Sequence, residues 1–523
     1  MVCGVTEEVS ERMARGSFLL AGGQLVAQVV AFAFSVVIAR LLGPGAYGLA
    51  TVAMVYPFLL ASLSSLGLEV AVARCIASPS TTRGVYAWTG LLTRLVAASV
   101  AGLITYFYSG LFASLLSRPE VEPLIRVLSL YVVFSSLMGL VNAALSGLGE
   151  YKASASMNIL YNVVRGPLAV VLVLAGLGAY GAVLSHTVAS VVVFLLYLVP
   201  YYSFFKKPVF SQVALRELLA LALPLYAAGL VSTFTGPVVN TILSNTVTSN
   251  ELGNYGVASN AQLPLGALLG AISTAVLTTF PLLLENRGAF RRRVSETAFY
   301  ASTVSAALGF CYASIIMPLV RLAYGRAYAT AHVYALVLAL SYILPALLAS
   351  TVTGNVFIAL EDTRWNIALN AVSVTSTITL AYTLVPRLGV LGACVAYVVG
   401  NTVSSALGLL VLSRVFSVGV NLGKTLKAST PAIVAFLAST TVSYILMELV
   451  TRQWFTVLHL YVAGIVSSIL VGLLVYAFSY LALLPRFLDE HSIRVIVDLA
   501  GKLEYVGRVI KPLGELYLKM LSA

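Results

Sequence analysis

The chain opens with an apolar run, Phe18 to Leu42, which reads FLLAGGQLVAQVVAFAFSVVIARLL. Two basic residues, Arg12 and Arg15, precede it, as they would precede the core of a secretory signal peptide. The run is about 25 residues long, however, whereas the apolar core of a signal peptide has about 7 to 15. A helix of this length can cross a hydrocarbon layer of about 30 Å. We therefore interpret it as an uncleaved first transmembrane span.

The composition of the whole chain also indicates a membrane protein. Its 523 residues are 60% hydrophobic and 10% charged, with a mean hydropathy of +0.97, whereas soluble domains carry about 25% charged residues. The net charge of +12 could suggest nucleic-acid binding, but the 31 Lys and Arg residues are scattered singly between apolar runs. Basic clustering on one surface is what nucleic-acid binding requires, so we expect no such partner.

Apolar runs of about 20 residues recur to the end of the chain and predict an all-α polytopic protein with about fourteen transmembrane helices. The predicted spans are residues 17–42, 46–67, 86–116, 123–148, 154–175, 179–204, 218–245, 252–284, 297–320, 331–360, 365–385, 388–413, 430–450 and 457–484.

The distribution of basic residues supports this count and predicts the orientation. With the N-terminus inside, the segments on the cytoplasmic side hold 22 Lys and Arg residues, and the external loops together with the helix ends next to them hold 7. Such an excess is the positive-inside pattern of proteins in the cytoplasmic membrane, and it places both termini in the cytoplasm. The three tryptophans also fall at predicted helix ends, where the headgroup layer favours them. They are Trp88, Trp365 and Trp454.

Short motifs recur at an offset of about 211 residues, which predicts a duplication. The segment from Leu42 to Gly48 is similar to Leu252 to Gly256, and the segment from Leu177 to Ala182 is similar to Leu388 to Ala393. Because each copy has an even number of helices, six, both copies enter the membrane from the same side. The two copies should then be related by a pseudo-twofold axis along the membrane normal. The predicted segments are a cytoplasmic N-terminus (1–16), an N-lobe (17–204), a linker (205–217), a C-lobe (218–413), two extra helices (414–484) and a cytoplasmic amphipathic tail (485–523).

In that tail, apolar residues between Ile493 and Ile510 follow helical spacing, with basic residues between them. This pattern is typical of a helix that lies on the membrane surface, and binding of a partner helix is the alternative.

The stretch from Ala39 to Gly48, followed by Leu66-Gly67-Leu68 and Arg74, resembles the signature of polysaccharide flippases. These flippases belong to the multidrug, oligosaccharidyl-lipid and polysaccharide exporter superfamily. The motif residues are Arg40, Gly43, Pro44, Tyr47 and Gly48. The resemblance continues through Leu223-Pro224-Leu225, Leu252 to Gly256, and Tyr324-Gly325-Arg326-Ala327-Tyr328.

The resemblance implies two six-helix lobes around a central cavity and alternating access. It also implies translocation of an oligosaccharide or polysaccharide precursor carried on polyprenyl or dolichyl phosphate. Relatives often carry an acidic residue in the seventh helix near the position of Asn240, and this chain departs from that pattern. The departure weakens any expectation of cation coupling through that position.

Two arginines lie at least two turns inside predicted spans, where a charge costs about 2.5 to 3.5 kcal/mol at a helix centre. Arg165 lies deep in the fifth span next to Pro167. We hypothesise that it binds the substrate phosphate, and a structural contact with backbone carbonyls is the alternative. Arg94 lies nearer a helix end, where reaching the headgroups and lining the cavity are equally compatible with the sequence. At the repeat offset both positions are serines, Ser305 and Ser376, so a cationic site would belong to the N-lobe alone.

Polar side chains that recur on one helix face predict either a cavity wall or close helix packing. For the serines and glycines of these faces we favour packing. For the amides we favour the cavity, and the predicted amide lining residues are Gln24, Gln28, Asn142, Asn158, Asn162 and Asn240.

No pattern indicates catalysis, a metal or a cofactor. The cysteines (Cys3, Cys75, Cys311, Cys394) and histidines (His186, His332, His459, His491) show no ligand spacing, and we interpret each histidine as structural. No Asp-x-Asp motif, which would indicate a glycosyltransferase, is present.

A cation-coupled multidrug exporter is the alternative function. It would be expected to hold carboxylates in the membrane, yet the only aspartates, Asp362, Asp489 and Asp498, lie in loops or the tail. We expect a monomer whose partners are a lipid-linked glycan and membrane lipids.

Overall fold

The computed structural model describes residues 2–78, 83–206, 208–277, 287–360, 362, 364–453 and 458–488, and every regular element in these ranges is helical. The all-α prediction is therefore confirmed. The α-helices are α1 (Val2–Ala53), α2 (Val55–Leu63), α3 (Leu68–Ala77), α4 (Arg83–Phe107), α5 (Ser109–Leu115), α6 (Glu122–Leu148), α7 (Tyr151–Leu172), α8 (Gly178–Phe205), α9 (Gln212–Thr233), α10 (Thr235–Thr246), α11 (Ser249–Asn260), α12 (Leu263–Leu277), α13 (Arg287–Tyr324), α14 (Ala331–Leu347), α15 (Ser350–Ala359), α16 (Arg364–Leu388), α17 (Val390–Arg414), α18 (Leu422–Gln453) and α19 (Leu458–Phe487). A 3₁₀ turn at Pro119–Val121 and a π-helical segment at Val173–Leu177 complete the set.

In the described ranges, nine helical stretches are long and apolar enough to cross a membrane, or ten if the bent pair α14–α15 forms one span. The predicted count of fourteen is not confirmed. Two of the nine stretches, Gly22–Leu63 and Tyr151–Phe205, are 42 and 55 residues long. A single span needs only about 20 residues. The first stretch covers most of the predicted spans 17–42 and 46–67, and the second contains the predicted spans 154–175 and 179–204. The seventh and eighth predicted spans fall on the interrupted helices α9–α10 and α11–α12.

Helix α1 is interrupted where the first predicted span ends. Gly43 has φ 72° and ψ 169°, a conformation outside the helical region, and Pro44 follows it. Glycine tolerates positive φ because it lacks a β-carbon, and proline is well suited to the first turn of a new helix. The Gly-Pro pair of the family motif therefore divides α1 into a long first leg and a short second leg, which runs from Pro44 to Ala53.

The second repeated motif places a glycine with positive φ at the turn between two helices in both copies. Gly178 has φ 51° and Gly389 has φ 59°, and these residues are 211 positions apart. Another glycine follows three residues after each of them. A β-carbon on Gly181 would crowd Leu172, and a β-carbon on Gly392 would crowd Leu384. Glycine at all four positions therefore permits two close helical hairpins, α7–α8 and α16–α17. The shared positive φ and the shared close contact support the predicted duplication.

The two copies of the first repeated motif pack directly against each other. A β-carbon on Gly48, in the second leg of α1, would overlap the carbonyl oxygen of Ser249. A β-carbon on Gly253, in α11, would overlap the carbonyl oxygen of Pro44. Small residues allow helix backbones to approach closely where the hydrophobic effect no longer drives association. The glycines of the motif thus allow α1 and α11 to cross in backbone contact.

Two compact units can be distinguished. Residues 1–271, 323–338 and 363–404 form one unit, and residues 272–322, 339–362 and 405–523 form the other. In the first, an apolar core joins α3, α4, α6, α8 and α9 and includes Leu68, Trp88, Leu140 and Tyr201. In the second, Phe299 packs with Ala428 and Leu484, and α18 packs along α19. The predicted division into lobes at 205–217 stays a prediction. Residues 489–523 of the predicted amphipathic tail and Trp454 lie outside the described residues.

The crossing of α1 and α11 can be tested with Gly253→Ala. The added methyl group has no space beside Pro44, so we expect a loss of about 1 to 3 kcal/mol of stability, measured as a lower melting temperature in detergent. Gly229→Ala in α9 is the matched control, because no atom lies within 4 Å of the position of its β-carbon. An equal loss in both variants would contradict the close crossing.

Candidate substrate cavity

A cavity of about 480 Å³ lies within the first compact unit, in the size range of small-molecule sites. Both legs of α1 contribute to its wall, together with α2, α7, α8 and the interrupted helices α9 to α12. Its polar lining residues are Ser35, Tyr47, Thr51, Ser62, Arg165, His186, Thr233, Asn240 and Asn260. Neither Asp nor Glu is among the described residues that line it.

Arg165 of α7 is the one lysine or arginine among these lining residues. Its Nη1 lies 3.2 Å from Nε2 of His186, while its buried Nε has no hydrogen-bond partner. In the described ranges no carboxylate forms an ion pair with it. A guanidinium has five N–H donors, so most of its capacity is left for another ligand. The cavity wall therefore carries a cation that its surroundings do not neutralise.

His186 of α8 holds this arginine from one side. A guanidinium can only donate, so Nε2 of His186 accepts the hydrogen bond, and the ring is neutral with its proton on Nδ1. Nδ1 lies 2.9 Å from the hydroxyl oxygen of Tyr161 and donates to it. The rings of Phe58 and Tyr131 pack around the imidazole, with centroids 6.1 Å and 5.9 Å away. The imidazole is thus fixed as a hydrogen-bond acceptor for Arg165.

The sequence interpretation missed His186, which it classed with the structural histidines. A signal was nevertheless present, because Arg165 precedes Leu177 by 12 residues and His186 follows it by 9. In a helical hairpin, two residues that are equally far from the turn along their helices lie side by side, at the same level of the hairpin. The glycine-rich turn therefore indicated that these two side chains could meet.

Amide and hydroxyl groups form another part of the wall. Asn260 of α11 donates from Nδ2 to the hydroxyl of Tyr47 at 2.7 Å. Asn240 of α10 donates to the carbonyl oxygen of Gly236 at 2.9 Å. Thr51 donates to the carbonyl oxygen of Tyr47 at 2.9 Å. These neutral groups can exchange hydrogen bonds with sugar hydroxyls.

The family motif divides into packing residues and one lining residue. Gly43 and Pro44 form the break in α1, and Gly48 permits its contact with α11. Arg40 donates from Nε to the carbonyl oxygen of Ala323 at 2.6 Å, outside the cavity lining. Tyr47 lines the cavity. In the same region, Tyr328 donates to the carbonyl oxygen of Ala39 at 2.7 Å, which joins two of the segments that carry the family resemblance.

Arg94 occupies a different environment from Arg165. It is only 2% exposed, and its Nη2 lies 3.3 Å from a carboxylate oxygen of Glu69. It also donates to the carbonyl oxygens of Ser136 at 3.2 Å and Ala61 at 3.4 Å. This ion pair, in which Arg94 is buried and the Glu69 side chain is 41% exposed, is neither the headgroup contact nor the cavity position that the sequence left open. Glu69 was overlooked because it lies two residues beyond the predicted second span.

Five predicted amides do not line this cavity. Asn142 accepts a hydrogen bond from Ser154, which joins α6 to α7. Asn158 and Asn162 each donate to a carbonyl oxygen one turn earlier in α7. Gln24 is exposed and Gln28 is partly buried. In the part of the chain that the structure describes, no group of three His, Cys, Asp or Glu side chains could hold a metal ion.

This arrangement of helices is shared with solved transporters. The lipid II flippase MurJ, in an inward closed conformation, matches with a TM-score of 0.68 and 16% identity, over 88% of this chain and 97% of MurJ. An inward-facing multidrug resistance MATE family transporter of the MOP superfamily matches with a TM-score of 0.60 and 18% identity, over 77% of this chain and 96% of that transporter. A MOP superfamily transporter from Pyrococcus furiosus matches with a TM-score of 0.56 and 18% identity, over 76% of this chain and 95% of that transporter. Its binding pocket is described as having reverse polarity.

The fold is therefore that of the MOP superfamily transporters, and the chain is a multi-pass membrane protein. Residues 37–333 match the family model described as polysaccharide biosynthesis protein, which covers more than half of the chain. The protein belongs to this family. No curated protein sequence matches the chain.

The contrast between the two arginines gives a stability prediction. Glu69→Gln should leave the buried charge of Arg94 without its counter-ion and lower the stability by about 1 to 3 kcal/mol, measured as a lower melting temperature in detergent. Combining it with Arg94→Met should recover part of the loss, because the unpaired charge is then gone. An equal loss from Glu69→Gln in the parent and in the Arg94→Met background would mean that the pair contributes nothing through its charges.

Proposed function

We propose that the protein flips a lipid-linked oligosaccharide or polysaccharide precursor, carried on polyprenyl or dolichyl phosphate, across the cytoplasmic membrane by alternating access. Both termini then lie in the cytoplasm, and the site performs no catalysis. The observation that supports this proposal is the position of Arg165 on the wall of a cavity whose described lining contains no carboxylate.

The physical reason lies in the cost of moving an anion through hydrocarbon. Charges inside a bilayer are costly, so a carrier must replace the water that it removes from them. Guanidinium matches phosphate oxygens with paired, charge-assisted hydrogen bonds. Arg165 can provide these bonds, while Tyr47, Asn240 and Asn260 can bind the hydroxyl groups of the attached sugar.

A cation-coupled multidrug exporter remains the alternative within the same superfamily. A site for cationic drugs would gain from carboxylates in its lining, because an unpaired guanidinium repels a cation. The described lining has the opposite polarity. We therefore favour an anionic lipid-linked glycan over a cationic drug as the cargo.

Replacing Arg165 by Gln should slow flipping of a polyprenyl-phosphate-linked sugar in proteoliposomes by about 10 to 100-fold, the equivalent of one charge-assisted hydrogen-bonded contact. Arg165→Lys keeps the charge but loses the fork geometry, so its rate should lie between those of Gln and the parent.

Arg292→Gln is the control for charge removal, because this side chain is 83% exposed and forms an ion pair with Glu296. It should retain the full rate. Full flipping by Arg165→Gln would contradict the phosphate role of Arg165. Transport of cationic dyes, without any flipping of the lipid probe, would favour the drug exporter.

Alternating access also requires segments on one side of the cavity to separate. The segment 115–118 after α5 is bonded to the turn 244–249 between α10 and α11. Arg118 donates to Ser249 Oγ at 2.9 Å and to the carbonyl oxygen of Val247 at 2.6 Å. Ser244 donates to the carbonyl oxygen of Leu116 at 2.7 Å, and Ser117 bonds Asn245 directly. Under the proposed orientation, both segments lie on the external side.

A covalent link between these segments should therefore block transport. In a background without the native cysteines, Ser117→Cys with Asn245→Cys can be joined by oxidation or a short thiol crosslinker. We expect flipping to fall to the protein-free rate after crosslinking and to return after reduction. The single-cysteine variants, given the same treatment, should be unaffected. Undiminished flipping by fully crosslinked protein would contradict separation of these segments.

A further inference from the structure

We infer that the cavity is built for a headgroup with a single negative charge, a sugar joined to a polyprenol through one phosphodiester, in preference to the diphosphate-linked form. The inference rests on the proposed function and specifies the substrate class of the same site. It follows from the charge of the cavity wall.

The wall carries one positive charge among its described lining residues. Arg165 is the single Lys or Arg there, and no carboxylate offsets it. The other conspicuous cations of the region are engaged elsewhere. Arg94 is paired with Glu69 outside the cavity, and Arg40 bonds the carbonyl oxygen of Ala323. The described residues that line the cavity therefore offer a ligand a net charge of +1.

His186 is the lining residue that could have supplied a second positive charge. Its Nε2 accepts from Arg165 at 3.2 Å and its Nδ1 donates to Tyr161 at 2.9 Å, so both ring nitrogens are used by the neutral form. A protonated ring would turn an N–H towards the guanidinium and lose this hydrogen bond. The groups that face the imidazole are Arg165, Tyr131, Tyr161 and Phe58, none of them acidic. The arrangement thus uses His186 to position Arg165 without adding charge.

A phosphodiester carries one negative charge and is neutralised by one guanidinium. A diphosphate linking the same two groups carries two, and the second would enter the cavity without a counter-ion. An uncompensated charge is expensive where water is excluded. The remaining polar groups of the wall are neutral amides and hydroxyls, such as Asn240, Asn260 and Thr51, and they suit a sugar better than a second phosphate.

The test compares two probes that differ only in the number of phosphates. Both carry the same fluorescent hexose on the same short polyprenol, one through a monophosphate and the other through a diphosphate. Flipping is followed in proteoliposomes by quenching of the label from outside. We expect the monophosphate probe to be favoured by about tenfold or more in rate over KM, as a penalty of roughly one unpaired charge would give.

Adding a second cation to the wall should shift this ratio towards the diphosphate probe. Asn240→Lys adds the charge on α10, and His186→Lys adds it beside Arg165. The neutral variants Asn240→Gln and His186→Gln are the matched controls, and they should keep the parent preference whatever their absolute rates. Melting temperatures identify any variant that fails to fold, and the two lysine positions serve as independent tests.

Each outcome decides between the proposals. A monophosphate preference in the parent that weakens in a folded lysine variant supports the inference. Equal or faster flipping of the diphosphate probe by the parent overturns it and leaves the flippase function intact. An unchanged ratio in both folded lysine variants also overturns charge matching. If the parent flips neither probe above the protein-free rate, the proposed function fails and the inference fails with it.

Discussion

The close crossing of α1 and α11 is the constraint on which the first compact unit depends. Gly48 and Gly253 leave no space for a β-carbon at the contact, so the two helix backbones are held in direct register. The cavity wall follows from this register, because Tyr47 precedes Gly48 by one residue and bonds Asn260 at the end of α11. The break at Gly43 turns the second leg of α1 towards this contact. One motif therefore sets both the packing and part of the site.

Arg94 and Arg165 show how surroundings determine the role of one residue type. Arg94 is joined to Glu69 and to two backbone carbonyls, so its charge is compensated inside the protein and stabilises a contact among α2, α3, α4 and α6. Arg165 meets a neutral acceptor, His186, which orients its guanidinium without compensating the charge. The difference leaves Arg165 able to attract an anion, and it makes Arg94 a structural residue.

Sequence patterns predicted much of this fold because hydrophobic length and glycine placement follow directly from physical limits. The break at Gly43 and the turn at Gly178 lie between predicted spans, and the turn at Gly389 lies just inside the start of the predicted span 388–413. The number of transmembrane helices was harder to predict. Each of two apolar runs forms a pair of helices, α9–α10 and α11–α12, and hydropathy does not indicate where such a run is interrupted. Side-chain partners were the hardest to foresee. The rotation of each helix about its axis decides which side chains meet, such as Arg94 with Glu69 or Arg165 with His186. A single sequence does not fix the rotation of neighbouring helices.

The duplication helps to explain why packing residues are repeated and the charged site is not. Glycines at 178 and 389, and at 181 and 392, recur because each hairpin needs a backbone conformation or a close contact that a β-carbon would disturb. That requirement applies to each copy separately. A cation in the cavity meets a different requirement, because one headgroup occupies one cavity and needs one counter-charge. Arg165 accordingly has Ser376 at its repeat position. A second guanidinium there would add charge and desolvation cost, so the two copies can share a backbone while their site residues diverge.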